Sequence, residues 1–153
     1  MNYFNKDIVF QEVPGEISLC YFICGCPLRC EGCHSWHTWP KNAGKPLDTD
    51  VFEADLQRYH RYISCVLFMG GEWSEPDLLE RLRAAKRYGL KTCLYTGLED
   101  VSPCLRSELT YLKTGPWIRT LGGLNNPNTN QRFWLLDSGE CLNQAFQNQN
   151  IAI

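Results

Sequence analysis

Residues 24 to 39 read Cys-Gly-Cys-Pro-Leu-Arg-Cys-Glu-Gly-Cys-His-Ser-Trp-His-Thr-Trp and hold four of the chain's nine cysteines. Within this stretch Cys26, Cys30 and Cys33 are separated by three and then two residues. Three thiolates spaced this way on one short loop can all turn toward a single metal centre without straining the backbone. A [4Fe-4S] cluster takes four ligands, so three cysteines leave one iron open, and an open position separates a reactive metal site from a closed structural one. The same spacing also suits zinc, with Cys24, His34 or His37 as the fourth ligand.

A second stretch, Gly70-Gly71-Glu72, follows the apolar run Cys65-Val66-Leu67-Phe68-Met69. Two residues without side chains expose backbone polar groups, and a carboxylate comes next, so the turn can receive an ammonium group. A plain strand-to-helix turn with a solvated Glu has the same sequence. The stretch Leu90 to Tyr95 is closed by Thr96-Gly97.

Placing these groups is the work of a repeated strand-helix-strand pattern. Glu16 to Ile23 is a largely apolar run of β-prone residues, and the cysteine loop begins where it ends. Asp50 followed by Glu53 resembles a capping box, and Phe52, Leu56, Tyr59 and Ile63 recur at helical spacing. Cys65 to Met69 suits a strand buried on both faces. Ser74 with Asp77 opens a second helix, lined by Leu78, Leu79, Leu82 and Ala85 and ended by Gly89. Leu90 to Tyr95, a helical stretch from Pro103 to Leu109, Tyr111 to Lys113 and Phe133 to Leu136 complete the series. The order predicts an α/β fold with a mostly parallel sheet and right-handed crossovers, with too few units to close, hence a partial β/α barrel. Reactive groups in such folds gather at the C-terminal ends of the strands, where the cysteine loop and Gly-Gly-Glu fall.

At 153 residues the chain is expected to form a single domain over 1–153. Residues 115 to 131 make a long loop rich in Gly, Asn and Pro, which suits a functional segment. Residues 143–153 are rich in Asn and Gln at their start and read as a mobile C-terminal tail. Fifteen Lys and Arg against 17 Asp and Glu, with no basic run, argue against a nucleic-acid partner. The first residues lack a signal peptide's apolar stretch, and no run of 18 apolar residues occurs, so the expectation is a cytoplasmic protein with no membrane partner. An odd cysteine number without an export signal favours metal ligation over disulfides for the clustered cysteines, while Cys20, Cys65 and Cys93 read as small core residues.

Taken together, the Gly25-preceded CxxxCxxC after one strand and Gly-Gly-Glu after the next resemble the radical S-adenosylmethionine superfamily. Within it the chain is similar to the activating proteins of anaerobic ribonucleoside-triphosphate reductase. The resemblance runs from Asp7-Ile8-Val9 and Pro14-Gly15 through Tyr95-Thr96-Gly97 to Leu121-Gly122-Gly123-Leu124 and Thr129-Asn130-Gln131-Arg132. It implies a partial barrel of radical SAM type. It also implies that Cys26, Cys30 and Cys33 bind a [4Fe-4S] cluster, whose open iron takes the amino and carboxylate groups of S-adenosyl-L-methionine. Gly70, Gly71 and Glu72 would lie along the methionine moiety, Thr96 and Gly97 near the ribose or carboxylate, and Asn130, Gln131 and Arg132 over the cofactor or against the partner.

The resemblance implies a reaction as well. An electron from a low-potential donor cleaves the sulfonium, and the resulting 5′-deoxyadenosyl radical takes a hydrogen atom from a glycine Cα on the large reductase subunit, leaving a glycyl radical. Trp36, His37, Trp39 and Trp117 would either form a docking face for that subunit or cover the cluster as a local core. Three departures from the superfamily's pattern stand out: Gly32 where an aromatic residue often precedes the last cysteine, Trp73 where Pro usually follows Gly-Gly-Glu, and His34 where Tyr is common. Two alternatives remain open on the residues alone. One is the same chemistry on another glycyl-radical enzyme, and the other is a non-catalytic zinc-binding module on Cys24, Cys26, Cys30 and Cys33.

Overall fold

The computed structural model describes residues 1–147. Eight strands form one sheet: β1 (Asn2–Val9), β2 (Ser18–Ile23), β3 (Lys45–Pro46), β4 (Cys65–Met69), β5 (Lys91–Tyr95), β6 (Tyr111–Thr114), β7 (Arg132–Leu135) and β8 (Glu140–Cys141). Four helices accompany them: α1 (Thr49–Tyr59), α2 (Glu75–Arg87), α3 (Pro103–Glu108) and α4 (Asn143–Gln147). The spatial order is β3-β1-β2-β4-β5-β6-β7-β8.

Only the centre of the sheet is parallel. Strands β2, β4, β5 and β6 run side by side in one direction, joined by helical crossovers. β1 and β3 extend one side antiparallel, and β7 and β8 extend the other. The mostly parallel sheet expected from the sequence is therefore corrected to a mixed one, with two-residue strands at both edges. The reason is physical: parallel neighbours need a crossover, whereas β1, β7 and β8 follow or precede their partners through loops that simply turn the chain back.

Alternation along the central strands builds two faces. Leu19, Tyr21, Ile23, Val66, Phe68, Leu94 and Leu112 point to the side where Phe52 and Leu56 of α1, Leu78 and Leu82 of α2 and Leu105 of α3 pack. Cys20, Cys65, Leu67, Cys93, Tyr111 and Phe133 point to the other side, where Val13, Leu124 and Phe146 lie over them. The central strands are thus covered on both faces, which is why β4 is apolar throughout. Cys20, Cys65 and Cys93 have no exposure and are core residues as expected.

Local signals largely set the helices. Asp48, rather than Asp50, caps α1: its Oδ1 accepts from the Val51 amide at 3.0 Å. Ser74 stands before α2 without a side-chain cap bond, and Pro76 sits in the first turn instead. Gly89, at φ +74°, ends that helix in a left-handed conformation. Residues 143 to 147 of the expected tail are helical, with Phe146 buried against Phe133 at a 5.1 Å ring separation. The remainder of that stretch, 148 to 153, lies outside the described residues.

Candidate metal and cofactor site

β2 ends at Ile23, and the cysteine loop leaves the sheet through Gly25, at φ +98°. Gly25 donates its amide to the Thr38 carbonyl at 2.7 Å, closing the loop's base. A Cβ at this position would come within 3.0 Å of both Trp73 Nε1 and Lys41 Cγ, so the glycine is required by space as well as by φ. Trp73, from the turn after β4, donates Nε1–H to the Cys24 carbonyl at 3.0 Å. The loop then doubles back through Arg29 at φ 47° and Gly32 at φ 70°, and the Cys33 amide donates to the Cys30 carbonyl at 3.1 Å.

Cys26, Cys30 and Cys33 line one cleft, together with Gly70 and Glu72 after β4, Thr96 and Gly97 after β5, and Lys113 of β6. All these groups stand at the C-terminal ends of the parallel strands, where unsatisfied backbone groups and loop freedom coincide. Burial raises the Cys26 thiol, and the amides of Leu28 and Arg29 oppose that by hydrogen bonding to the sulfur. The Ser35 amide donates to Cys33 Sγ at 3.4 Å. Backbone donors aimed at sulfur favour a thiolate and thus a metal ligand. Cys24 does not join them. It is buried at 3% exposure and lies outside the cleft lining.

The carboxyl of Glu72 is raised by burial, against the opposing effect of a bond from Thr96 Oγ1 to its Oε1 at 2.6 Å. Its other oxygen, Oε2, is buried without a partner among the described residues. An orphaned buried acceptor facing a cleft suits a ligand's N–H groups. Gly70, at φ +84°, keeps its amide on the Tyr95 carbonyl at 2.8 Å and leaves space for the Trp73 ring, which an added Cβ would meet at 2.4 Å. Gly71 does not line the cleft; it is buried against Ile23 and Leu78 and lets the chain turn beneath Glu72. Asn130 also stands behind the wall, donating Nδ2 to the Pro116 carbonyl at 3.0 Å, while Gln131 beside it reaches the cleft.

Of the four aromatic residues expected to dock a partner or cover the cluster, Trp39 and Trp117 line the cleft, as do Trp73 and Tyr95, whereas Trp36 is 65% exposed and His37 packs on Phe4 at 4.6 Å between rings. His34 lies 4.7 Å from the Trp117 ring and outside the lining. The lining residue that sequence reasoning missed is Lys113. The available signal was its place two residues after Tyr111, which puts a charge on the same buried face of β6.

Among the described residues no three His, Cys, Asp or Glu side chains are drawn together tightly enough to hold a single ion. A four-iron cluster spreads its ligands more widely than a tetrahedral ion, whose sulfurs sit roughly 2.3 Å from the metal. Three thiols on one loop, an amide directed at the Cys33 sulfur and an orphaned carboxylate oxygen nearby fit a cluster that leaves one position open.

The chain belongs to the family of 4Fe-4S single cluster domains, whose match covers residues 13–103. It is 35% identical over 89 residues to the pyruvate formate-lyase-activating enzyme of Clostridium pasteurianum, covering 54% of this chain and 37% of that enzyme. It is also 34% identical over 70 residues to the 7-carboxy-7-deazaguanine synthase of Hyperthermus butylicus, covering 42% of this chain and 29% of that protein. The chain thus spans roughly a third of the length of these curated relatives. Among the described residues no helix is long and apolar enough to cross a membrane.

Proposed function

We propose that this chain is a radical S-adenosylmethionine activase that generates a glycyl radical on the large subunit of an anaerobic ribonucleoside-triphosphate reductase. The observation that carries the proposal is the convergence of Cys26, Cys30 and Cys33 with Gly70, Glu72, Thr96 and Gly97 on one cleft at the ends of parallel strands. In this reading the four parallel strands are the core of a partial radical SAM barrel. The cysteines hold a [4Fe-4S] cluster that, when bound and reduced by a low-potential donor, supplies the electron for reductive cleavage of S-adenosyl-L-methionine.

The chain's own residues do the remainder. Glu72 Oε2 accepts from the cofactor's ammonium, and Thr96 holds the carboxylate in place through Oε1. Gly70 makes room for the Trp73 ring and Gly97 for the Leu28 side chain, and both of these line the cleft that would take the cofactor. Trp39 and Trp117 wall the cleft. Asn130 steadies the Pro116 turn beside that wall.

The reductase as target rests on the resemblance through Leu121 to Leu124 and Thr129 to Arg132. A second reading, activation of a different glycyl-radical enzyme, is favoured by the similarity to the activating enzyme of pyruvate formate-lyase. Anaerobic reconstitution with iron and sulfide, followed by reduction with S-adenosylmethionine, tests the chemistry by 5′-deoxyadenosine release. Adding candidate glycyl-radical subunits and recording the organic radical by electron paramagnetic resonance then decides the target. A protein that takes up a single zinc and leaves the cofactor intact would sink both readings.

A further inference from the structure

Lys113 is a buried lysine with no carboxylate partner among the described residues. It is 8% exposed, on the β6 face that looks into the cysteine cleft. Its Nζ donates to the Gly115 carbonyl at 2.8 Å and reaches the Thr96 carbonyl at 3.5 Å, and the Tyr95 ring lies 6.0 Å away. Among the described residues it makes no salt bridge, although Glu72 lines the same cleft. Buried charges are ordinarily paired, because an ammonium withdrawn from water without an anion is costly. Two carbonyl dipoles orient the group but do not neutralise it. Cys30, Cys33 and Glu72 line the same cleft.

We infer that Lys113 is the counter-charge of the iron-sulfur cluster and raises its reduction potential. This rests on the cluster assignment to Cys26, Cys30 and Cys33. Reduction adds one electron from an external low-potential donor and makes the cluster with its thiolates one charge more negative. A fixed positive charge beside the cluster stabilises that reduced form more than the oxidised one. Lys113 touches neither the cofactor's reacting atoms nor the transferred hydrogen in this role and is a positioning residue for charge. The side chain is buried on β6, and the Gly115 carbonyl accepts from its Nζ.

The test compares full-length wild type with Lys113→Met, Lys113→Gln and Lys113→Arg, each reconstituted anaerobically. The midpoint potential is read by dye-mediated titration without S-adenosylmethionine, so that cofactor binding does not enter. The expected result is iron content equal to wild type in all variants. At fixed ambient potential the reduced-to-oxidised ratio should be about tenfold lower in the Met and Gln variants, near 59 mV for a one-electron couple, with Arg close to wild type. Loss of the cluster from the Met and Gln variants would overturn the inference, because the lysine would then be needed to hold the cluster rather than to set its potential. Coincident potentials in all four proteins, or cluster loss from all three variants, would overturn it. A wild type that binds no cluster would overturn it too, and would be distinguished by taking the cluster assignment down with it.

Discussion

The Trp73 indole donates to the Cys24 carbonyl at 3.0 Å, so the turn that follows Gly-Gly-Glu is bonded to the residue that opens the cysteine loop. Trp73 also stands against Gly25 and Gly70, one on each of the two turns. Trp73→Phe should keep the ring contacts, lose the bond and cost about 1 kcal/mol. Trp73→Ala should cost about 3 kcal/mol by also emptying the space between the turns. Chemical unfolding measures the two costs, and the rate of iron loss to a chelator should rise in the same order.

Gly70→Ala tests the other side of that contact. Its φ of +84° disfavours any Cβ, and the new methyl would lie 2.4 Å from the Trp73 ring. A loss of about 2 to 4 kcal/mol is expected, together with weaker S-adenosylmethionine binding by calorimetry. Retention of wild-type stability would mean that the turn can repack, and that the positive φ is dispensable.

Substituting the cysteines one at a time separates ligands from core. Cys26→Ala, Cys30→Ala and Cys33→Ala should each abolish stable uptake of about four irons. Cys24→Ala should retain the iron and lose about 1 kcal/mol, because a buried thiol is removed from beneath the loop. Iron analysis and the visible absorption band report both outcomes. Equal damage in all four variants would favour the zinc alternative.

The floor of the sheet carries a pH-dependent tie. Burial is the largest influence on the Glu16 carboxyl and pushes it up, but bonds from Lys91, Ser64 and Tyr111 together outweigh it and hold the group below its ordinary value of 4.5. Tyr111 Oη donates to Glu16 Oε1 at 2.8 Å, and Lys91 pairs with the same oxygen. A depressed folded value means that the stabilisation is complete above the ordinary carboxylate range and is lost as pH falls through the folded value. Glu16→Gln should therefore be about 1 to 2 kcal/mol less stable at pH 7, and the difference should shrink below pH 4.5. Urea melts at a series of pH values check the sign.

The central strands and the cysteine loop were legible in the sequence because their signals are local. Cys65 to Met69 is apolar on both faces, and the cysteine spacing needs no partner to be recognised. What escaped depends on distant contacts. Asn2 to Val9 mixes exposed Phe4 with Lys6, which pairs with Asp55 of α1, so β1 shows no clean alternation. The cap of α1 falls on Asp48 rather than Asp50 because the chain arrives from β3, a two-residue strand held by Asn2 and Tyr3. Lys113 reads as an ordinary charge in a weak strand until β5 and the cysteine loop are placed beside it.

The cleft's walls also set an order of events during synthesis. The cysteine loop and Gly-Gly-Glu leave the ribosome well before Lys113, Trp117 and Gln131, which close the far side of the same cleft. A nascent chain ending before β6 would present its thiols on an open, unwalled rim. On the proposed cluster assignment, iron-sulfur delivery that waits for the complete chain would meet a cleft whose far wall, Lys113 included, is already in place, while earlier delivery would meet an open rim.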